Sequence, residues 1–292
     1  MTDEERQESE RILRVLEEAY QRYGASELRR IAGPIRAAAG VEPMAATGDP
    51  LRYPDGLFIP GLKSSAWHRR DWMPDTALLE AAAPVMRAEL EALLQTRSGF
   101  QPFDEGEYGF NPNNTEGQWN VFYIILGGTE VPAAVAACPQ TAAALRNLPN
   151  LALSAMFSAL TPGTHLWAHC GPTNAFISQS LGLIIPPGCR IRLGTEERTW
   201  QEGVCLVFDD TYEHEVWNCG SSTRFIMLCD TWHPELTPVE RDVLARVLWA
   251  PGEAEARLQH GQQLLHGQEW WKPTNNPTTS GSVASDPEDH RQ

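Results

Sequence analysis

His169 and His214 are the residues whose type and setting first suggest chemistry. His169 ends the run "HLWAH" just before the turn-forming "CGPTN", and His214 sits in "FDDTYEHEVW". Arg224 follows His214 by ten residues, inside the apolar run "TRFIMLCDTW". Two imidazoles at the ends of neighbouring strands would converge at the mouth of a β-barrel, where they suit Fe(II). A guanidinium one strand further on would point into the same cavity and grip a carboxylate through paired hydrogen bonds. Taken singly, a histidine has many ordinary hydrogen-bonding uses, so the combination carries the argument. Arg224 adds to it, because an arginine among apolar strand residues with no acid beside it needs a buried anion.

The remaining histidines read as ordinary polar residues. "PGTHLWAHCGP" has helix breakers at both ends, so His165 and His169 do not form a helical zinc pair. His68, His233, His260, His266 and His290 lie in no metal-binding spacing, and no H-E-x-x-H occurs.

The elements that must hold such a site follow from the hydrophobic pattern. From about residue 119 the chain breaks into short apolar or alternating runs: "WNVFYIIL", "LALSAMFSAL", "FISQSLGLII", "CRIRL", "GVCLVFDD" and "TRFIMLCDTW". Turn residues separate them, the pattern of a sandwich or barrel. Ahead of this, residues 4–40 have helical spacing broken by Gly24 and Pro34. Residues 51–73 read as an ordered aromatic loop. Residues 75–97 read as a helix with Asp75 at its cap and Pro84 disturbing its middle. "TPVERDVLARVLW" closes the barrel as a helix starting at Thr237 and Pro238. The expected fold is mainly β with flanking helices, a double-stranded β-helix of the jelly-roll, cupin-like kind. Its parts are N-terminal helices and loop (1–118), a catalytic core (119–250), a C-terminal helix (251–271) and a disordered tail (272–292).

Composition narrows the function classes. The 292 residues carry a formal net charge of −15, with 23 Lys and Arg against 38 Asp and Glu. Such a chain has little from which to build a basic stripe for nucleic acid, or a patch for an anionic membrane. No stretch approaches the ~18 apolar residues of a membrane span, and the N-terminus is charged from the third residue, so a cytoplasmic location is expected. The six cysteines contain no C-x-x-C pair and read as reduced thiols.

The segments "PGTHLWAHCGPTN", "GLIIPPGCRIR", "TWQEG", "FDDTYEHEVWN" and "DTWHPELTP" occur in the order seen in the aspartyl/asparaginyl β-hydroxylase family, which the chain resembles over about residues 120–240. A weaker echo lies upstream, in "LFIPGL" followed by tryptophan. Members of that family are Fe(II)- and 2-oxoglutarate-dependent oxygenases on a double-stranded β-helix. The resemblance implies that His169 and His214 are iron ligands. It implies that Arg224 binds the distal carboxylate of 2-oxoglutarate with help from Ser158 in "MFSALTPG". Most of the wider superfamily has an acid two residues after the first histidine; this family has glycine there, and so does this chain at Gly171. Asp209 or Asp210 then becomes the carboxylate able to orient a ligand imidazole or its bound water, with Asp210 the expected catalytic residue.

One departure from the family pattern stands out. Its strand after "GPTN" carries an arginine and, two residues on, a histidine that anchor the inner end of the cosubstrate. Here those positions are Ser178 and Ser180, with Phe176 at an earlier arginine position. Period two puts all three on one inward face. A charged hydrogen bond of the lost kind contributes roughly 1.5–3 kcal/mol. Ser178 and Ser180 are the expected replacements in the cofactor site, and Arg190 or Arg192 could reach in from "CRIRL", although its alternation fits an outward pair equally well. The expected activity is 2-oxoglutarate-dependent hydroxylation of an unactivated C–H bond in a small or carrier-bound amino-acid-like substrate, with O2 as co-reactant. The alternatives are an Fe(II)/O2 oxidase whose substrate itself chelates the iron, and a non-catalytic binding module. The retained His169, His214 and Arg224 argue against the module.

Overall fold

A computed structural model describes residues 2–54, 56–96, 99–103, 115–116 and 118–264. Its helices and strands in chain order begin with α1 (Asp3–Tyr23), α2 (Ala32–Ala38) and α3 (Pro74–Thr96). There follow β1 (Gln101–Pro102), β2 (Thr115–Glu116), β3 (Trp119–Leu126), β4 (Thr129–Glu130), α4 (Pro132–Ala137) and α5 (Pro139–Arg146). The strands resume with β5 (Leu151–Leu160), β6 (His165–His169), β7 (Phe176–Ile184), β8 (Cys189–Leu193) and β9 (Glu196–Arg198). The chain ends its described part with β10 (Cys205–Phe208), β11 (His214–Asn218), β12 (Arg224–Trp232), α6 (Pro238–Leu248) and α7 (Glu253–Leu264).

The strands form two antiparallel sheets. The larger has the order β1-β3-β5-β12-β7-β10 with β4 on β3; the smaller has β2-β6-β11-β8-β9. Neighbours in space are distant in sequence, as a jelly-roll requires, and the mainly β, cupin-like class expected from sequence is what the chain adopts. The larger sheet is covered on both faces, which is why its strands read as nearly unbroken apolar runs. One face packs on α3 and α5, where Leu79, Met86 and Leu90 meet Phe157, Leu181 and Met227. Each such fully buried side chain contributes about 1.5–3 kcal/mol. The other face joins the smaller sheet through Leu160, Ile226, Leu166, Ile191 and Val216. Helices α1, α2 and α6 pack together as a separate apolar cluster that also receives Trp232 from the end of β12.

Several local expectations need correction. Asp75 does not cap α3 but lies inside its first turn, fully buried, accepting hydrogen bonds from Asn150 N (2.9 Å) and Nδ2 (2.7 Å). Pro84 leaves α3 as one helix, and Pro34 sits within the first turn of α2, where a missing N–H costs nothing. The helices α4 and α5 had no sequence assignment, although each starts with proline at its first turn. Thr237 does cap α6, forming a reciprocal capping box with Glu240. Of the expected 251–271 helix, α7 covers Glu253–Leu264; residues 265–271 and the 272–292 tail lie outside the described residues. All six cysteines are free thiols. Among the described residues no helix is long and apolar enough to cross a membrane.

The barrel wall is tight at Gly182 of β7. A Cβ there would lie 2.4 Å from the carbonyl oxygen of Gln201, and the Gly182 carbonyl accepts from Gly203 N at 2.8 Å. Gly182→Ala is therefore expected to lower the unfolding free energy by about 1–3 kcal/mol, as overpacking against backbone does. Urea denaturation measures this, and an unchanged midpoint would show that the Trp200–Gly203 connection yields freely.

Candidate active site

The register of β6 with β11 sets His214 directly opposite His169, and their ring centroids are 4.1 Å apart. Three residues of β6 (from His169 to Leu166) face two of β11 (from His214 to Val216), a bulge in the ladder. The bulge turns His169 to the same side as Leu166, which packs in the inter-sheet core. Both histidines thus line one cavity. Each Nδ1 lies against a carbonyl oxygen two residues upstream, Trp167 O at 2.6 Å for His169 and Tyr212 O at 3.0 Å for His214. Donation of the Nδ1 hydrogen to that carbonyl fixes the tautomer and makes Nε2 the ring nitrogen that carries the lone pair. Burial pushes both imidazoles below their ordinary pKa, His214 the further of the two, with His169 beside it as a second cause. The pair is neutral, as metal coordination requires.

Asp210 and Asp209 separate cleanly. Asp210 lines the cavity, accepts a hydrogen bond from Ser178 Oγ (3.2 Å), and its carbonyl oxygen accepts one from Gly171 N (2.7 Å). A Cβ on Gly171 would stand 2.4 Å from the Asp210 carboxylate. Asp210 therefore occupies the space into which a side chain at 171 would grow. Burial raises its pKa well above the ordinary range, and Asp230 and Asp209 add to this. Asp209 instead pairs with Arg52 at 2.5 Å and receives Thr211 N at 3.1 Å.

Asp230 is a functional candidate that the sequence reading passed over. It lines the same cavity, accepts from Ser154 Oγ at 2.8 Å, and is pushed up to about 6 by burial. Its signal was present: Asp230 lies at even spacing from Arg224 along β12 and so shares the inward face.

Arg224 lies at the opposite end of that face, 2% exposed. Its Nη2 donates to Ser158 Oγ (3.2 Å), which also accepts from Trp119 Nε1 (2.9 Å). The guanidinium sits over the ring of Trp200 (4.8 Å), whose Nε1 donates to Ser180 Oγ (2.7 Å). Its Nε has no hydrogen-bond partner, and no carboxylate pairs with it among the described residues. Burial brings its pKa down to about 10, still well above neutrality. A buried, charged fork with an open position and the Ser158 hydroxyl at one nitrogen is suited to an anion.

The structure thus groups the expected residues in two. His169, His214, Asp210 and Ser178 stand at the cavity; Arg224, Ser158 and Ser180 stand around Trp200. Trp119 links them, since it lines the cavity and bonds Ser158. Arg190 and Arg192 do not reach in: Arg192 pairs with Glu213 and Glu215, and Arg190 with Glu197 across the Trp217 ring. His165 is turned outward too, against Trp217 and Glu215. The cavity has a volume of about 940 Å³. Phe103, Tyr123, Met156, Phe176 and Leu228 wall it, while Glu4, Glu8 and Glu253 stand at its rim.

The chain matches the family described as aspartyl/asparaginyl beta-hydroxylase over residues 80–234. It is 37% identical over 199 residues to the mouse aspartyl/asparaginyl beta-hydroxylase, which covers 65% of this chain and 26% of that protein. An ornithine lipid ester-linked acyl 2-hydroxylase from Rhizobium tropici is 37% identical over 168 residues, covering 56% of this chain and 59% of its own length. An aspartate beta-hydroxylase domain-containing protein 2 from Xenopus tropicalis is 33% identical over 254 residues, covering 84% and 66% respectively. The chain therefore spans about a quarter of the mouse protein and up to two thirds of the other two. Among solved structures, a Pseudomonas putida prolyl-4-hydroxylase overlaps distantly, with a TM-score of 0.33 and 17% identity over 59% of this chain and 91% of that one. Every residue grouped above around the histidine pair and around Arg224 falls inside the matched span, and the chain belongs to the aspartyl/asparaginyl β-hydroxylase family.

Proposed function

We propose that this protein is a non-haem Fe(II)- and 2-oxoglutarate-dependent hydroxylase acting on an unactivated C–H bond of a small or carrier-bound amino-acid-like substrate. The observation that carries the proposal is Arg224, a buried cation with a free donor and no acid, one barrel's depth from a pair of neutral histidines. His169 and His214 would hold the iron through Nε2, since paired imidazoles suit that metal, and among the described residues no third His, Cys, Asp or Glu joins them in a metal-holding group. The bound iron supplies O2 activation, and the protein supplies position and dryness. Arg224 and Ser158 grip the distal carboxylate of 2-oxoglutarate. Ser180 has its oxygen taken by Trp200 and its own hydrogen free to donate to the same anion. Ser178 hydrogen-bonds Asp210, so its contribution to the inner end is shared with that acid. Asp210, in the turn between β10 and β11, would bring a carboxylate toward that place from across Gly171.

The cavity supports the substrate class. Its walls are largely apolar and aromatic, while Asp230 with Ser154, and Asp210 with Ser178, give it two acidic, hydroxyl-lined places. An amino-acid-derived substrate would set its ammonium group against Asp230 and its carbon skeleton along Phe176, Met156 and Leu228. The second reading, an oxidase that dispenses with 2-oxoglutarate, is favoured by one observation. Phe176, Ser178 and Ser180 leave the inner face of β7 without a cation.

Anaerobic titration of the Fe(II)-loaded protein with 2-oxoglutarate separates the two readings. A weak visible band near about 500 nm, the mark of a chelated 2-oxoacid, is expected to appear and saturate. Arg224→Met should weaken that titration by about 10–100-fold, the equivalent of a lost charged hydrogen bond, while leaving iron affinity unchanged. Absence of the band in an iron-loaded parent would move the assignment to the oxidase.

Gly171 gives a second expectation. Gly171→Asp alone crowds Asp210 and should lower both melting temperature and Fe(II) affinity. Combining it with Asp210→Gly moves one carboxylate from the β10–β11 turn to the turn after β6 and should restore both. A single variant as stable as the parent would refute the crowding.

Turnover assays test the substrate class. Amino-acid-derived compounds should lose at least tenfold in kcat/KM when their amine is acetylated; equal turnover of both forms would remove Asp230 from substrate recognition.

A further inference from the structure

Residues 51–54 and 56–68 lie ahead of the matched family span, yet they fasten both turns beside the histidine pair. On one side, Glu213 N donates to Leu51 O (2.7 Å), Arg52 bridges Tyr212, and Asp209 N donates to Ala66 O (3.1 Å). On the other, Leu57 N donates to Pro172 O (2.8 Å), while Asn174 exchanges two side-chain hydrogen bonds with the backbone of Ile59. The first turn carries Asp210 and the Tyr212 carbonyl that orients His214. The second follows His169 directly.

Arg52 is the centre of this strap. It is 5% exposed, and every nitrogen of its guanidinium is used: Nη2 on Asp209 (2.5 Å), Nε on Thr211 Oγ1 (2.8 Å), and Nη1 on Ser64 Oγ (2.6 Å). Phe58 and Tyr212 lie 4.8 and 5.0 Å from its plane centre. A planar fork held this way specifies orientation as well as charge. Its partners at 209 and 211 flank Asp210, so the fork fixes the carboxylate facing Gly171 from both sides. It also holds Asp209 in an ion pair, while Asp210 lines the cavity.

We propose that Arg52 is a positioning residue of the metal site, acting through Asp209 and Thr211 on Asp210 and on the carbonyl that orients His214. The proposal rests on the reading that His169 and His214 hold a divalent metal. It differs from a plain structural ion pair in what should survive repair of the core. A buried pair exchanged for apolar residues of similar volume commonly keeps its stability, whereas outer partners of metal ligands cost 10–100-fold in metal affinity when lost.

The test uses the full chain and Co(II) as the probe, titrated anaerobically and followed by its visible absorption, with thermal melting of the metal-free protein alongside. The double variant Arg52→Met/Asp209→Leu should melt within a few degrees of the parent, yet bind Co(II) at least tenfold more weakly with an altered band envelope. Arg52→Lys, which keeps the charge and loses the fork, should do the same and stands in if the double variant does not fold. Parent-like Co(II) affinity and spectrum in a folded variant would overturn the proposal, as would loss of folding in both. Failure of the parent itself to bind Co(II) or Fe(II) would instead bring down the metal reading, and this inference with it.

Discussion

The site depends on a bulge. In strict alternation His169 would share the face of His165, which stacks on Trp217 outside the barrel. Because β6 spends three residues where β11 spends two, His169 turns inward and faces His214 in register. A one-residue change of register exchanges the faces of a strand, so a barrel with a slipped β6 would lose its histidine pair. The inter-sheet core opposes such a slip, since Leu166 would leave the cluster it shares with Ile191 and Val216. Apolar packing thus fixes where two polar rings stand.

Charge is distributed along the barrel interior with equal economy. On β12 alone, the inward face runs from Arg224 through Ile226 and Leu228 to Asp230. Each end is polar and the middle is dry. A buried cation and a buried acid on one strand would ordinarily neutralise one another, and here apolar residues hold them apart. Arg224 rests on Trp200 and Ser158; Asp230 rests on Ser154. Such groups are costly unless ligands complete them. Under the proposed function a carboxylate would complete one end and a different group the other.

How much of this was legible in the sequence differs by element. The barrel strands were readable because burial on both faces makes them continuous apolar runs, and the inward set on β12 follows from period two. The bulge in β6 was not readable, since "HLWAH" alternates no differently with or without it. Asp75 was misread as a cap because an acid near a helix start ordinarily is one; its partner Asn150 lies 75 positions away. Arg52 is the extreme case, paired across 157 positions with a residue in another motif. Long-range polar contacts of this kind leave no local pattern, and they decide which of two adjacent acids faces the cavity.

That last choice bears on the glycine at 171. A side chain on β6's outgoing turn and the Asp210 carboxylate would compete for one volume, so the two positions cannot both carry acids without rearrangement. Glycine at 171 is therefore the condition under which an acid can arrive from the β10–β11 turn. On the proposed reading, the carboxylate at this place comes from the β10–β11 turn and not from the turn that follows β6. Asp210 is held by Ser178, by the Gly171 N–H on its carbonyl, and by the Arg52 fork on both its neighbours. Its position is a property of three separate chain segments, and so is whatever chemistry it orients.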